Sequence, residues 1–372
     1  MELPQLTPEY CRLRQGRLVE AMRSEGIGRT IVTRPENVQY ITGFRPNRLM
    51  FAIAALDADG GCVLVAPNEK PEGAAIDDCA VFAAQALCTL RQDQEINAAK
   101  KFLTSCKEIR ATGATAIDFA GQGEILNDLL THRDGRGATD IEPVLLRLRR
   151  KKDPDEMAMI RHAIGCTEAM YARAREVIRP GVGELEVFNE LQAAAVNAAG
   201  EMLTATGNDY QCNSPGGPPR DRRAEAEELY ILDLGPCYRG YYADNCRTFA
   251  VNREPTGDQV AAWESITAVL EMVEATVKPG ISAKRVYEQA KEMLDVWKAG
   301  AFFHHLGHGI GLYPHEAPHL NAHWDEVFEE GDVFTAEPGL YGPELRAGIR
   351  LEQDYLVTRD GLERLTEFPL EL

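Results

Sequence analysis

The sequence predicts an α/β protein of two domains, the second of which consists of two similar halves. Three observations support this prediction: a length of 372 residues, a succession of helical and strand-like patterns, and an internal repeat. A single domain usually contains roughly 100 to 200 residues, so a chain of this length suits two domains. Hydrophobic residues make up 44% of the chain and charged residues 26%, which is typical of globular proteins with a substantial core.

The N-terminal part has the pattern of a small α/β unit. Apolar residues recur at helical spacing over residues 7–23. Three short apolar runs that predict strands follow, at residues 30–33, 49–56 and 62–66. The basic segment RLRRKKDPDE then precedes a long helical pattern over residues 155–177. We therefore predict a domain boundary near residue 150, with domains at 1–150 and 151–372.

The C-terminal part contains an internal repeat. VIRPGVGELEVF at residues 177–188 is similar to VKPGISAKRVY at residues 277–287, with matched positions 99 residues apart. Each copy predicts a helix that ends at Pro-Gly, a second helix, and then a strand-rich stretch with two acidic residues. Five matched positions can arise by chance in helix-turn-helix segments, so the repeat gains its weight from the acidic residues that follow each copy.

Charge and hydropathy argue against two classes of partner. The longest uncharged apolar run, residues 49–56, is far shorter than the roughly 20 residues that span a bilayer. A formal net charge of −18 repels phosphate backbones, which argues against nucleic acid. The first residues also lack the basic and apolar segments of a secretory signal. We expect a cytoplasmic protein that binds neither membrane nor nucleic acid.

Asp233 and Asp244 follow the first copy of the repeat, in LYILDLGPCYRGYYADNCRTFAV. This segment predicts two strands around a turn near residues 238–240. A two-residue loop would place the aspartates opposite each other on one face, with Cβ atoms about 5 Å apart. Such carboxylates repel unless a cation lies between them, and hard divalent cations favour oxygen ligands. The alternative is that one aspartate faces outward or belongs to the turn.

Glu337 and Glu352 follow the second copy with the same layout, on either side of a turn near Glu344. Their separation is odd, as is that of the aspartates, and both separations are compatible with pairing on one face across an even loop. An exposed acidic hairpin on an acidic protein is the alternative interpretation.

Six of the eight histidines lie between His304 and His323, in HHLGHGIGLYPHEAPHLNAH. Glycines on both sides of His308 allow the backbone to approach a site closely, and His315 follows seven residues later. One histidine and four carboxylates form a suitable ligand set for two metal ions. A surface patch, or a series of buried and hydrogen-bonded histidines, is the alternative. The sequence offers neither a sulfur-ligated zinc site nor an HExxH helix.

Four motifs resemble, in order and in spacing, those of the pita-bread metallopeptidases, the group of creatinase, prolidase and aminopeptidase P. They are DLGPCYRGYYADNCRTF, HHLGHGIGLYPHE, TAEPGLY and GIRLEQD, and the likeness covers residues 152–372. Upstream, NVQYITGF is similar to a segment of the N-terminal domain of these proteins. The resemblance implies a C-terminal pita-bread catalytic domain with a pseudo-twofold internal repeat, preceded by a smaller creatinase-like α/β domain.

The resemblance also implies a set of site residues. The five implied metal ligands are Asp233, Asp244, His308, Glu337 and Glu352. Creatinase has this fold without the metal set, so the intact set favours a metal-dependent enzyme. Three further residues match the family: His315, which assists at the scissile carbonyl, His304, which lines the pocket, and Arg350, which lies beside the last ligands.

This set suggests a mechanism. Two cations about 3.5 to 4 Å apart would hold a shared water and lower its pKa. His315 would donate a hydrogen bond to the developing oxyanion, and Glu337 would move protons from the water to the leaving nitrogen. Glu352 would bridge the cations, and Arg350 would hold the Glu352 carboxylate in place. Manganese suits the oxygen-rich ligands, with zinc or cobalt as alternatives.

Two positions depart from the family pattern. Relatives carry a pocket histidine 17 residues before Asp233, where this chain has Gly216. This departure affects the substrate pocket and leaves the metal ligands unchanged. Cys246 replaces a threonine, and alternation along the strand places it on the same face as Asp244. A small buried side chain that only fills space is the alternative interpretation of Cys246.

The leading functional prediction is a Xaa-Pro peptidase, of the aminopeptidase P or prolidase type, that cleaves short peptides. Gly216 motivates a second hypothesis, a related hydrolase that acts on a small non-peptide C–N bond. A third hypothesis is a binding protein that has the fold without turnover. The motifs do not separate an aminopeptidase from a dipeptidase, and the resemblance implies a homodimer.

Overall fold

The computed structural model describes residues 3–105, 113–121, 126–128, 131 and 137–372. The chain divides into two compact units, Leu6–Arg149 and residues 3–5 with Arg150–Leu372. Each unit contains its own cluster of buried apolar side chains. Within the described ranges, every helix is too short or too polar to span a bilayer.

The N-terminal unit combines a mixed sheet with helices. Its described helices are α1 (Pro8–Ser24), α2 (Pro35–Thr42), α3 (Gln94–Ser105) and α4 (Glu142–Arg150). Its described strands are β1 (Ile27–Val32), β2 (Ile53–Asp57), β3 (Cys62–Pro67), β4 (Asp78–Phe82), β5 (Gln85–Ala86), β6 (Thr89–Leu90), β7 (Ala114–Ile117) and β8 (Thr139–Asp140). Six strands form one sheet in the order β4-β3-β2-β1-β7-β8, and β5 pairs with β6.

The first helix and the first three strands confirm the sequence predictions for this part of the chain. Helix α1 begins where the Thr7 hydroxyl accepts the backbone N–H of Tyr10 at 3.3 Å, which caps the helix. Strands β1, β2 and β3 overlap the three predicted runs and are buried along their whole length.

A buried aspartate at the end of β7 caps helix α2. Asp118 is 0% exposed, and it accepts the backbone N–H groups of Thr33 at 2.8 Å and Arg34 at 2.9 Å. It also accepts the Thr33 hydroxyl at 2.9 Å and the Asn37 amide at 3.0 Å. The N-cap residue of α2, Arg34, makes no capping bond through its own side chain. Asp118 therefore satisfies donors at the helix start that would otherwise have no acceptor.

We expect D118A to lower the free energy of unfolding of the N-terminal unit by about 3 kcal/mol, because it leaves several buried donors without an acceptor. Urea unfolding followed by circular dichroism measures this loss. The matched control is E20A, which removes an exposed carboxylate of α1, and its unfolding midpoint should change little. Equal losses in the two variants would contradict the capping role of Asp118.

The C-terminal unit alternates pairs of helices with hairpins. Its helices are α5 (Pro154–Val177), α6 (Glu184–Ala199), α7 (Gly257–Thr276) and α8 (Ala283–Trp297), with a 3-10 turn at Pro343–Leu345. The strands of its first half are β9 (Ala205–Thr206), β10 (Asp209–Cys212), β11 (Leu229–Leu234), β12 (Pro236–Tyr238), β13 (Tyr241–Tyr242) and β14 (Asn245–Ala250). Those of its second half are β15 (Gly307–Gly309), β16 (Glu316–Leu320), β17 (Val333–Ala336), β18 (Gly339–Gly342), β19 (Ala347–Arg350), β20 (Gln353–Val357) and β21 (Leu362–Arg364).

The strands of this unit form small sheets with neighbours in the orders β10-β11-β14, β13-β12-β9 and β16-β15-β17-β20-β21, and β18 pairs with β19. The predicted long helix over residues 155–177 is confirmed as α5. Its start carries a capping box, in which the Asp153 side chain accepts the backbone N–H of Glu156 and the Glu156 side chain accepts the backbone N–H of Asp153.

The sequence repeat corresponds to a structural repeat. After α5 and after α7 the chain turns through a glycine with positive φ, Gly181 at 87° and Gly280 at 90°. The next helix then begins at N-cap Gly183 in the first half and Ser282 in the second. Each of these N-cap residues forms an isolated β-bridge, Gly183 to Arg223 shortly before β11 and Ser282 to Val327 shortly before β17. The two halves thus share one layout at positions that are 99 residues apart in the sequence.

The first hairpin has a different register from the predicted one. Tyr238 pairs with Tyr241, so the turn is the two-residue loop Arg239 and Gly240, both with positive φ. The centre of this turn lies one residue later than a direct pairing of Asp233 with Asp244 would require. Asp233 therefore pairs with Cys246, and the prediction that Asp233 lies directly opposite Asp244 is wrong.

The second hairpin places its glutamates opposite each other. Ala336 pairs with Gln353, and Gly339 pairs with Arg350. These two pairs have the same register. Glu337 and Glu352 lie between the two pairs and are therefore opposite each other. The arrangement predicted for the second hairpin is confirmed.

Candidate metal centre

Three carboxylates converge at the ends of β11, β14 and β19. One oxygen each of Asp233, Asp244 and Glu352 lies within 4.8 Å of the others, and all three residues are buried. Both side-chain oxygens of Glu352 are buried without a hydrogen-bond partner. Because buried polar atoms without partners are costly, this group of oxygens fits a site for divalent cations.

His308 and Glu337 lie beside these carboxylates. His308 Nε2 is 3.7 Å from Asp244 Oδ2 and 3.5 Å from Glu337 Oε1. His308 Nδ1 is 3.1 Å from the carbonyl oxygen of Gly309, a contact that requires a proton on Nδ1 in the neutral ring. Nε2 therefore carries a lone pair toward the carboxylates. The structure brings all five predicted ligands into one cluster.

Two glycines allow the strand that carries His308 to lie close to its neighbours. A Cβ atom on Gly307 would lie 2.0 Å from the carbonyl oxygen of Thr335. A Cβ atom on Gly309 would lie 2.2 Å from the carbonyl oxygen of Ala317. The predicted close approach of the backbone beside His308 is therefore confirmed.

Burial changes the pKa values of the clustered groups. Desolvation raises the pKa of Glu337 to about 8, although the nearby Arg350 opposes this effect. Desolvation, followed by the neighbouring carboxylates, raises the pKa values of Asp244 and Glu352 well above their ordinary range. Desolvation lowers the pKa of His308, which keeps the imidazole neutral. Arg350 contributes one positive charge at Asp233, and bound cations would favour the ionised forms of the other carboxylates.

Arg350 holds Asp233 and not Glu352. Its Nη2 donates to Asp233 Oδ2 at 2.7 Å and also to Asp209, and its Nη1 donates to the Tyr341 hydroxyl at 3.0 Å. The prediction that Arg350 holds the Glu352 carboxylate is wrong. The long arginine side chain extends instead to β10 and β11, where two aspartates offer acceptors.

His315 and His304 both lie beside the cluster and line the same cavity. The ring of His315 stacks on that of His308, with centroids 3.7 Å apart. His304 Nδ1 donates to a backbone carbonyl oxygen at 2.7 Å, so its Nε2 accepts the Tyr341 hydroxyl at 3.0 Å. Burial and the charge of Arg350 lower the pKa of His304 to about 3. A continuous set of hydrogen bonds thus fixes His304, Tyr341 and Arg350 relative to one another.

Cys246 is fully buried and packs with Ile231 and Tyr341. Desolvation raises the pKa of its thiol well above the ordinary value, so the thiol stays protonated. These surroundings favour the interpretation of Cys246 as a side chain that fills space.

Two adjoining cavities open onto the cluster. One of about 420 Å³ is lined by four members of the cluster, Asp233, Asp244, His308 and Glu337, and by residues that include Gly216 and Phe303. The other, of about 350 Å³, shares His304, His308 and His315 with it. A binding site of this size accommodates a small ligand such as a short peptide.

The sequence prediction omitted several residues that contact the site, among them Tyr341, Asp209 and His305, whose Nδ1 lies 3.3 Å from Glu337 Oε1. Tyr341 lies within the quoted motif TAEPGLY, and its hydroxyl could have been included on that basis. Asp209 lies in a segment without a motif, and only the pairing of β10 with β11 brings it to Asp233.

Comparison with known proteins defines the class. The model of metallopeptidase family M24 matches residues 158–359, and the model of the creatinase/prolidase N-terminal domain matches residues 14–150. The chain belongs to metallopeptidase family M24, which confirms the predicted pita-bread domain, the creatinase-like N-terminal domain and a metal-dependent enzyme.

Individual relatives match over nearly the whole chain. A Xaa-Pro dipeptidase of Pyrococcus furiosus is 27% identical over 96% of this chain and 98% of its own length. The crystal structure of the prolidase from Pyrococcus horikoshii is 25% identical, with a TM-score of 0.80 over 96% of this chain and 99% of that one. A Xaa-Pro dipeptidase from Bacillus anthracis shares the fold at 23% identity, with a TM-score of 0.82 over 97% of this chain and 99% of that one.

Divalent metal should stabilise the protein. Mn²⁺ at about 100 times its dissociation constant should raise the free energy of unfolding of chelator-treated protein by about 2.7 kcal/mol, because it binds the folded state. Thermal unfolding with and without Mn²⁺ measures this gain. In the D244N variant the shift should be much smaller. A shift of equal size there would show that the ion binds elsewhere.

Proposed function

We propose that this metallopeptidase is a Xaa-Pro peptidase that cleaves short peptides with the help of two divalent metal ions. The observation that carries the proposal is the cluster of five potential ligands, four of which line a cavity whose wall also contains His315. The relatives described above, a Xaa-Pro dipeptidase and a prolidase, support the substrate class.

The ligands that would hold the ions are Asp233, Asp244, His308, Glu337 and Glu352. Glu352 suits the bridging position, because both of its oxygens lack hydrogen bonds and it faces Glu337 across the second hairpin. Divalent cations bound in such a set activate water and polarise the carbonyl that is attacked. The excess of oxygen over nitrogen ligands favours Mn²⁺, with Zn²⁺ or Co²⁺ as alternatives.

The remaining side chains position the substrate and its protons. Glu337 lines the cavity, and we assign it the transfer of protons from water to the leaving nitrogen. His315 lies on the same wall, where an imidazole N–H can donate to the developing oxyanion. His304 is held by Tyr341 and forms part of the pocket wall. Arg350 orients Asp233.

Other features of the proposal derive from the sequence and the resemblance. We propose a homodimer, a cytoplasmic location, and domain limits at 1–150 and 151–372. Aminopeptidase and dipeptidase activities differ in the substrate length that the cleft accepts, and a peptide series separates them.

A hydrolase of a small non-peptide C–N bond is the second candidate. Gly216 favours it, because this part of the cavity wall lacks the side chain that relatives carry there. A screen of small amides and cyclic amidines beside the peptides distinguishes the two candidates.

Protein loaded with Mn²⁺, Co²⁺ or Zn²⁺ should release the first amino acid from X-Pro dipeptides or tripeptides. E352Q should lower kcat/KM by about 100-fold or more, because it removes a charged ligand of the ions. Its matched control is E344Q in the turn of the same hairpin, where the exposed Glu344 pairs with Lys298. The control should keep its activity.

Chromatographic analysis of the released amino acid provides the measurement. Absence of release with every metal would contradict the proposed peptidase, and turnover of non-peptide substrates alone would support the second candidate.

A further inference from the structure

Asp209 lies beside the metal centre but is not among its potential ligands. It is the first residue of β10, and it pairs directly with Asp233 on β11. Its side chain is 18% exposed. A carboxylate in this position adds negative charge to a cluster that is already acidic, so it requires a positively charged partner.

That partner is Arg350, which Asp209 shares with Asp233. Nη2 of Arg350 donates to Oδ2 of both aspartates, and Nη1 donates to the Tyr341 hydroxyl at 3.0 Å and to the Pro215 carbonyl oxygen at 3.3 Å. The guanidinium is therefore balanced by two carboxylates. Without Asp209, Asp233 alone would balance the buried charge, and the guanidinium would compete more strongly with a metal ion for the Asp233 carboxylate.

Asp209 also fixes the loop that forms part of the cavity wall. The backbone N–H of Gly217 donates to Asp209 Oδ1 at 2.6 Å. A Cβ atom on Gly216 would lie 2.3 Å from Asp209 Oδ2, and Gly216 has a φ of 154°, which disfavours other residues. A side chain at position 216 would therefore occupy the space that the Asp209 carboxylate fills.

We propose that Asp209 is a positioning residue of the metal centre. It shares the charge of Arg350 with Asp233, which leaves Asp233 available to a metal ion, and it holds Gly216 and Gly217 against the site. The inference deepens the proposed function and rests on it for its catalytic consequence, but its effect on metal affinity is measured without a substrate.

The test compares D209N with a matched control on the same strand. Gln211 lies two residues later on the same face of β10, and its Nε2 donates to the Pro218 carbonyl oxygen at 2.6 Å, so it holds the same loop without a hydrogen bond to Arg350. Titration calorimetry of chelator-treated protein with Mn²⁺ should show binding about 10-fold weaker or more for D209N. Q211A should bind Mn²⁺ with an affinity within about 2-fold of that of the unaltered protein. A residue that does not itself bind the ion affects the affinity through the ligand that it contacts.

A second pair of variants tests whether Asp209 acts through Arg350. Substitution D209N in an R350M background should cause no further loss of Mn²⁺ affinity, because the shared guanidinium is already absent. With X-Pro peptides, the kcat of D209N should fall at low Mn²⁺ and recover when Mn²⁺ is raised. A loss of structure would not recover in this way.

Three results would overturn the inference. They are unchanged Mn²⁺ affinity in D209N, an equal loss of affinity in Q211A, and a further loss from D209N in the R350M background. D209S serves as a second variant if D209N does not fold, as judged by thermal unfolding with chelator present. If no X-Pro peptide is cleaved but the Mn²⁺ affinities follow the expected order, the proposed substrate fails and the role of Asp209 stands.

Discussion

The main physical constraint on the C-terminal unit is the mutual repulsion of carboxylates that are buried together. Asp233, Asp244, Glu337 and Glu352 lie within one cluster, and among the described residues Arg350 supplies its cationic contact. Repulsion of this kind makes the folded state costly unless positive charge enters the site. Cation binding and the stability of the folded unit are therefore coupled, because an ion that binds the folded state stabilises that state.

The repeat explains how a chain assembles such a cluster. Each half contributes one pair of acidic residues on a hairpin that follows two helices. The halves differ in detail, since Glu337 and Glu352 oppose each other, whereas Asp233 opposes Cys246. The imidazole comes from β15, a strand in the second half. Similar scaffolds with different registers thus produce an asymmetric set of potential ligands.

The position of Asp209 gives a structural reason for the glycine at position 216. The family resemblance implies a pocket histidine at the position of Gly216, but a side chain there would collide with the Asp209 carboxylate, which is bound to Arg350. Asp209 thus contacts both the loop at Gly217 and Arg350, which in turn donates to Asp233.

The sequence by itself determined helix α1, the helices of the repeat, the two hairpins and the five residues that cluster, because local patterns and motifs extend over a few residues. It did not determine the register of the first hairpin, where a shift of one residue in the turn changes the partner of Asp233. The partners of Arg350 also required the tertiary structure, since Asp209 is 141 residues away in the chain. A long charged side chain selects its acceptors by their positions in space, and those positions exist only after the strands have paired.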